Sequence, residues 1–153
     1  MASNVTFIGA GNMASAIFGG MIESGYPREA ITATSPDEAM LAPLRERYGI
    51  HTETDNNAAV ATADVVVLAV KPQIMHDVCA AMRDAVQDRK PLIVSVAAGL
   101  TAETLERWLG GDLPVIRCMP NTPSLVGTGA SGLYANRLVD DSQKSIATTL
   151  MEA

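Results

Sequence analysis

The chain has 153 residues, of which 48% are hydrophobic and 18% charged, a composition that fits one globular domain and excludes a disordered chain. The net charge of −6, with no Lys/Arg run longer than two, gives no indication of a nucleic acid or an anionic membrane as partner. Two scattered cysteines and two histidines match neither a disulfide framework nor a metal site. No basic leader precedes the first strand and no apolar run approaches about 18 residues, so we expect a cytoplasmic protein.

The first element is an apolar strand over about 4–8, and it runs into the turn Gly9-Ala10-Gly11-Asn12-Met13-Ala14. A helix over about 12–24 follows, and Gly25 is a suitable residue to end it. This is the Gly-x-Gly-x-x-Ala pattern of dinucleotide-binding turns. The first glycine permits the tight turn, and the second lets the backbone approach a diphosphate. The free N–H groups at the start of the helix then face the negative charge.

Strand and helix patterns alternate along the rest of the chain. Further strands are predicted at about 31–34, 50–52, 64–70, 92–96, 114–118 and 133–135. Further helices are predicted from about 35 to 48, at 58–63, 74–86 and 101–109, and from 142 onward. The strand at 64–70 is a continuous β-branched run, typical of a strand buried on both faces. We therefore predict an α/β fold with a doubly wound, mostly parallel sheet of the Rossmann type in three layers, over residues 1–153.

In such a sheet, ligands bind beyond the carboxyl ends of the strands, where the strand order reverses. Four unusual segments follow predicted strands and fall at this edge: 9–13, 34–36, 69–72 and 96–99. Small residues after three of these strands leave room for a flat cofactor to lie across the strand ends. The sequence therefore predicts a nucleotide site there.

The second strand bears on which nucleotide binds. NAD sites tend to carry an acidic residue about 20 positions after the glycines. Here the strand ends in Thr34-Ser35-Pro36, and the first carboxylate is that of Asp37. Two hydroxyl groups beside a helix N-terminus suit a 2′-phosphate, which an acid would repel, so we expect NADP, with NADPH preferred over NADH. Ser35 or Asp37 could instead only cap the next helix, and neither Arg45 nor Arg47 lies at the strand end.

Other polar residues at this edge have two interpretations. Lys71 could be an acid, a phosphate ligand or a solvated lysine, and Pro72 stiffens the turn after it. Asn56 could bind the adenosine end of a dinucleotide or cap a short helix. We assign no catalytic residue and no metal ligand.

A second notable stretch, Arg117-Cys118-Met119-Pro120-Asn121-Thr122-Pro123, is a stiff loop at the end of a strand. Asn121 or Thr122 could orient a nicotinamide carboxamide or a substrate there. Cys118 is interpreted as a packed strand residue, and His51 and His76 as surface residues. Apolar helix faces predict a core position for three methionines: Met13, Met21 and Met40.

Four motifs together resemble pyrroline-5-carboxylate reductase. They are Ile8-Gly9-Ala10-Gly11-Asn12-Met13-Ala14, Ala69-Val70-Lys71-Pro72, Ser95-Val96-Ala97-Ala98-Gly99 and Val115-Ile116-Arg117-Cys118-Met119-Pro120-Asn121-Thr122-Pro123. The last is the most discriminating, and all four occur in the family's order and spacing. The resemblance implies an enzyme that reduces the cyclic imine 1-pyrroline-5-carboxylate to L-proline with NADPH or NADH, the last step of proline biosynthesis.

The resemblance also implies the residues of the site. The cofactor-binding positions would be Ile8, Gly9, Ala10, Gly11, Asn12, Met13, Thr34, Ser35, Pro36, Asn56, Ala69, Val70, Lys71, Pro72, Val96, Ala97 and Ala98. The loop beside the nicotinamide or the substrate would be Met119, Pro120, Asn121, Thr122 and Pro123.

The family adds an all-helical C-terminal domain that dimerises and supplies much of the substrate pocket, and it has no counterpart in these 153 residues. We therefore expect a domain truncated within the helix after strand 7, which binds the cofactor but turns over poorly, and a homo-oligomer for the full-length protein. Two alternatives remain: the cofactor domain of a 3-hydroxyacid or ketopantoate-type dehydrogenase, and a non-catalytic nucleotide-binding module.

Overall fold

A computed structural model describes residues 3–96, 100–118 and 133–152. Its seven described strands form one sheet in the order β3-β2-β1-β4-β5-β6-β7. The strands are β1 (Val5–Ile8), β2 (Ile31–Thr34), β3 (His51–Glu53), β4 (Val65–Leu68), β5 (Leu92–Ser95), β6 (Val115–Cys118) and β7 (Leu133–Ala135). All neighbouring pairs are parallel except β6 and β7. The chain leaves β1 towards β3 and returns to β4 on its other side, so the strand order reverses between β1 and β4.

Helices cover both faces of the sheet. They are α1 (Asn12–Glu23), α2 (Glu38–Tyr48), α3 (Asn56–Val60), α4 (Pro72–Ala81), α5 (Arg83–Arg89), α6 (Ala102–Trp108) and α7 (Asp141–Glu152), with a 3-10 turn at Arg28–Ala30. Side chains from α1, α2 and α7 share one core cluster with Val65 and Val67. Side chains from α3, α4, α5 and α6 share the other with Val66 and Leu68. Alternate residues of one strand thus serve opposite faces, which confirms the predicted three-layer doubly wound sheet.

The C-terminus of α1 follows the sequence prediction. Gly25 has φ +101°, and its N–H donates to the Ile22 carbonyl at 3.0 Å. The next N–H, that of Tyr26, donates to the Met21 carbonyl at 2.9 Å. These two bonds form a Schellman motif, in which a residue with positive φ satisfies the last free carbonyls of a helix.

The predicted helix over 74–86 is instead two helices, α4 and α5. The break lies at Met82, whose backbone has φ −108° and ψ 12°. Met75, Cys79, Met82 and Val86 are all fully buried in the same cluster. Because their spacing stays helical across the break, hydrophobic periodicity does not reveal it.

Two further boundaries differ from prediction. The short helix predicted at 58–63 begins earlier, at Asn56, because Asp55 caps it by accepting a hydrogen bond from the Asn57 N–H at 3.0 Å. The strand predicted over 64–70 ends at Leu68, and the next two residues leave the sheet to border the site described below. Among the described residues, none of the helices combines the length and the apolar sequence of a membrane span.

Candidate functional site

A cleft of about 580 Å³ lies at the carboxyl edge of the sheet, above β1, β2 and β4. Its described lining comprises Ile8, Gly9, Ala10, Gly11, Met13, Thr34, Ser35, Pro36, Met40, Thr54, Asn56, Ala69, Val70, Lys71, Ile74 and Val78. The position is the reversal of strand order, where doubly wound sheets bind ligands. Most of the residues that were predicted from the sequence to bind a cofactor therefore line one cavity.

The floor of the cleft is the turn at Gly9. Its φ is +106°, and a Cβ placed on it would lie 3.0 Å from the Ala69 carbonyl oxygen and 3.1 Å from Val70 Cγ1. The Ala69 N–H donates to the Ile8 carbonyl at 2.9 Å, so the two strand ends are tied together there. A side chain at position 9 would be excluded both by the backbone angle and by the contact, because glycine alone tolerates this φ without strain.

Gly11 is different, although only two residues away. It is the N-cap residue of α1, with φ −80° and ψ −166°, and a Cβ placed on it would meet nothing within 4 Å. The space in front of its backbone is thus open to the cleft. At the N-termini of α2, α3 and α6, a carboxylate or hydroxyl group of the N-cap residue accepts a backbone N–H. The N-cap residue of α1 is a glycine, which has no side chain to do so. Gly11 and Met13 line the cleft, so the uncapped start of α1 borders it, an arrangement that favours an anion.

Thr34 lies at the cleft, but its hydroxyl serves the fold. The Thr34 Oγ1 accepts a hydrogen bond from the Gly9 N–H at 3.3 Å and donates to the Phe7 carbonyl at 3.2 Å. The residue is 1% exposed. Its hydroxyl hydrogen is therefore engaged within the protein, and one of the two hydroxyl groups expected to bind a 2′-phosphate instead braces the glycine turn.

Ser35 keeps a hydroxyl hydrogen that can be redirected. Its Oγ accepts from the Asp37 N–H at 3.1 Å and lies 3.6 Å from Met40 Sδ, a weak acceptor. The helix cap is Asp37, whose carboxylate accepts from the Ala39 N–H at 3.0 Å. Ser35 is thus not the cap, and Pro36 precedes α2 and does not occupy its first turn.

Asn56 lines the cleft from the turn after β3, and Lys71 lines it from the turn after β4. Because Asp55 caps α3, the side chain of Asn56 is not used as the cap. Lys71 is exposed and stands at the N-cap of α4, with Pro72 as the first residue of that helix. Proline suits this position because its missing N–H would have no partner in the first turn. Pro72 itself does not line the described cleft.

Four lining residues were missed from the sequence: Met40, Thr54, Ile74 and Val78. Met13 and Met40 are both 44% exposed at the cleft, so their predicted core positions are wrong, whereas Met21 is buried as predicted. Ile74 and Val78 lie four residues apart on one face of α4. That spacing was visible, but it does not distinguish a face on the core from a face on an open cleft.

Several predicted residues do not enter this description. Val96 is 4% exposed, and its N–H donates to the Leu68 carbonyl at 3.2 Å. Ala97, Ala98 and the loop residues Met119, Pro120, Asn121, Thr122 and Pro123 lie outside the described residues, as do the side chains of Asn12 and Cys118.

No second cluster of reactive groups competes with the cleft in the described ranges. Burial raises the pKa of the Cys79 thiol to about 12, so the group stays protonated near neutral pH. His51 and His76 are exposed, as predicted. In the part of the chain that the structure covers, no three His, Cys, Asp or Glu side chains are grouped as metal ligands would be.

A doubly wound sheet with an open helix N-terminus at its switch point is an architecture that binds dinucleotides. The chain belongs to the family described as NADP oxidoreductase, coenzyme F420-dependent, whose model matches residues 4–99.

Among individual proteins, the chain is 48% identical over 149 residues to the pyrroline-5-carboxylate reductase of Vibrio alginolyticus. The aligned region covers 97% of this chain and 54% of that protein. A structure of pyrroline-5-carboxylate reductase from Coxiella burnetii is 42% identical with a TM-score of 0.91, over 99% of this chain and 56% of that one. The imine reductase of Myxococcus stipitatus in complex with NADP+ is 25% identical with a TM-score of 0.70, over 97% and 53%. The resemblance to the N-terminal part of pyrroline-5-carboxylate reductases is confirmed, and the chain spans about half the length of these relatives.

Proposed function

We propose that this chain is the NADP(H)-binding domain of an imine reductase of the pyrroline-5-carboxylate reductase type. The enzyme would reduce 1-pyrroline-5-carboxylate, a small-molecule imine, to L-proline. Support comes from the 48% identity to the Vibrio alginolyticus enzyme and from the NADP+ complex of the related imine reductase. We further propose a cytoplasmic homo-oligomer for the full-length protein.

The observation that carries this proposal is the open space at Gly11. The backbone of the first turn of α1 faces the 580 Å³ cleft, and a Cβ on Gly11 would project into empty volume. An ordinary tight turn needs no such opening. A bound diphosphate would accept the N–H groups of this turn and would be stabilised by the helix dipole. The described residues therefore fit a dinucleotide.

Each side of the cleft would hold one part of the cofactor. Ser35 would donate to a 2′-phosphate, and Asn56 and Thr54 line the same cleft. The segment Ala69–Pro72, with Val96, Ala97 and Ala98, would position the remainder, and Met119–Pro123 would lie beside the nicotinamide. The nicotinamide supplies the hydride for a C=N bond, and a protonated imine is already a good acceptor. The protein's contribution is to position donor and acceptor away from water, and we assign no proton donor to this chain.

The test is a fluorescence titration of NADPH into the wild-type chain and into Gly11→Ala. We expect saturable binding to the wild type and a loss of about 100-fold or more for the variant, because the new methyl group occupies the space of the diphosphate. The matched control is Gly19→Ala in the same helix, whose Cβ would contact Tyr48 at 3.3 Å on the core side. We expect this control to keep NADPH affinity within about twofold.

Thermal unfolding of both variants separates binding from folding. Gly11→Ala should unfold within a few degrees of the wild type, since its φ of −80° is allowed for alanine. Wild-type protein that binds no NADPH, or a Gly11→Ala variant that binds it normally, would contradict the proposal. Among the alternatives, a ketoacid-dependent oxidation of NADPH that exceeds the imine-dependent rate would favour the 3-hydroxyacid or ketopantoate type.

A further inference from the structure

An ion pair on α2 lies beside the turn that would meet the 2′-phosphate. Glu38 is the first residue of α2, three positions after Ser35. Both oxygens of its carboxylate accept from Arg45 Nη1, at 3.0 and 2.8 Å, and the same nitrogen donates to Thr52 Oγ1 at 2.6 Å. The Arg45 side chain thus runs back from the last turns of α2 to its first turn, where Glu38 and Thr52 hold the guanidinium.

The other charged groups around this turn are engaged differently. The carboxylates of Asp37, Glu53 and Asp55 accept from backbone N–H groups of their own turns, at 3.0 to 3.2 Å. The guanidinium of Arg47 lies over the Tyr48 ring, 5.2 Å from its centroid. Lys71 borders the cleft from the β4 side. Glu38 is therefore the acidic group of this region whose described partner is an arginine side chain.

We propose that Glu38 is a positioning residue that holds Arg45 away from the 2′-phosphate site and so limits the preference for NADPH over NADH. This inference rests on the proposed function, in which Ser35 and its neighbours meet the adenosine end of the cofactor. A phosphate accepts two parallel hydrogen bonds from a guanidinium and carries more charge than a carboxylate. Glu38 and Arg45 are exposed, with side-chain accessibilities of 58% and 43%, and such pairs contribute little stability. Removal of the carboxylate therefore leaves the neutral Thr52 hydroxyl as the remaining described partner of this nitrogen, and the guanidinium can turn towards a phosphate without a large cost to the fold.

The experiment measures dissociation constants for NADPH and NADH with the whole chain and four variants: Glu38→Gln, Arg45→Met, the double variant of these two, and Glu46→Gln. Glu46 is exposed on the same helix and is not a member of the described ion pair, so its variant makes the same change of charge without breaking that pair. We expect Glu38→Gln to tighten NADPH by about three- to tenfold and to leave NADH within about twofold. Arg45→Met and Glu46→Gln should each leave the ratio of the two constants within about twofold.

The double variant distinguishes positioning from simple charge removal. If Glu38 acts through Arg45, the gain in NADPH affinity disappears when Arg45→Met is also present. A gain that persists in the double variant, or that appears equally in Glu46→Gln, would overturn the inference and leave the proposed function intact. An unchanged ratio in Glu38→Gln would overturn it as well. Failure of the wild-type chain to bind either nucleotide would overturn the proposed function, and this inference with it.

Discussion

Two turns at the same edge of the sheet are built in opposite ways. The β1–α1 turn contains glycine at the two key positions and leaves the start of α1 open to the cleft. In the β2–α2 turn, polar side chains bind the backbone of the turn itself: Ser35 Oγ accepts from the Asp37 N–H, and the Asp37 carboxylate accepts from the Ala39 N–H. Backbone groups recognise the diphosphate that all dinucleotides share, whereas side chains can distinguish one dinucleotide from another. Damage to the first turn should therefore affect every nucleotide, and changes in the second should alter the ratio between them.

The largest effect is expected for Gly9→Ala, which should lower the free energy of unfolding by about 3 kcal/mol. The alanine would adopt a strained φ of +106° and press on the Ala69 carbonyl at 3.0 Å. The matched control is Gly25→Ala, which has φ +101° but meets nothing within 4 Å. Urea denaturation of both should show the control losing only about 1–2 kcal/mol, the cost of the backbone angle. Equal losses would show that the contact with Ala69 contributes nothing.

Thr34 links the two turns, so Thr34→Val tests whether one supports the other. The isosteric valine removes the partner of the partly buried Gly9 N–H and should cost about 2 kcal/mol of stability. Because the glycine turn then loses its hydrogen bond to Thr34, the affinities for NADPH and NADH should fall together, by about three- to tenfold. The control Thr32→Val lies in the same strand and away from the cleft lining, and Thr34→Ser should restore binding. A change in the ratio of the two affinities would instead mean that Thr34 reads the 2′-phosphate directly.

The smallest effect is expected for Ser35→Ala. The variant removes the hydroxyl that can donate to a 2′-phosphate, and the Asp37 N–H also loses its acceptor. We expect NADPH to weaken by about fivefold while NADH stays within about twofold, as measured by fluorescence titration of each nucleotide. If the affinities for NADPH and NADH fall equally, Ser35 acts on the shape of the turn and not on the phosphate. The proposed difference between the two turns would then be wrong.

The local patterns of the chain determined the layers of the fold and the place of the cleft. Alternating strand and helix signals, with a β-branched run at β4, required a parallel sheet covered on both faces. The glycine pattern after β1 placed the cleft, and Gly25 marked a helix end that the structure confirms. These features depend on near neighbours in the sequence, which is why the sequence alone sufficed for them.

Only the tertiary structure decided what each side chain at the cleft contacts. The Thr34 hydroxyl turns towards Phe7 and Gly9, Arg45 reaches back to Glu38 and Thr52, and Met13 and Met40 border the cleft and not the core. The break at Met82 was also not predictable from the sequence, because the helical spacing of the buried residues continues across it. Periodicity indicates which face of an element is apolar. It does not indicate whether that face packs on the core or lines an open cavity, nor which donor bonds which acceptor. Both depend on segments that are distant in the sequence and that only folding brings together.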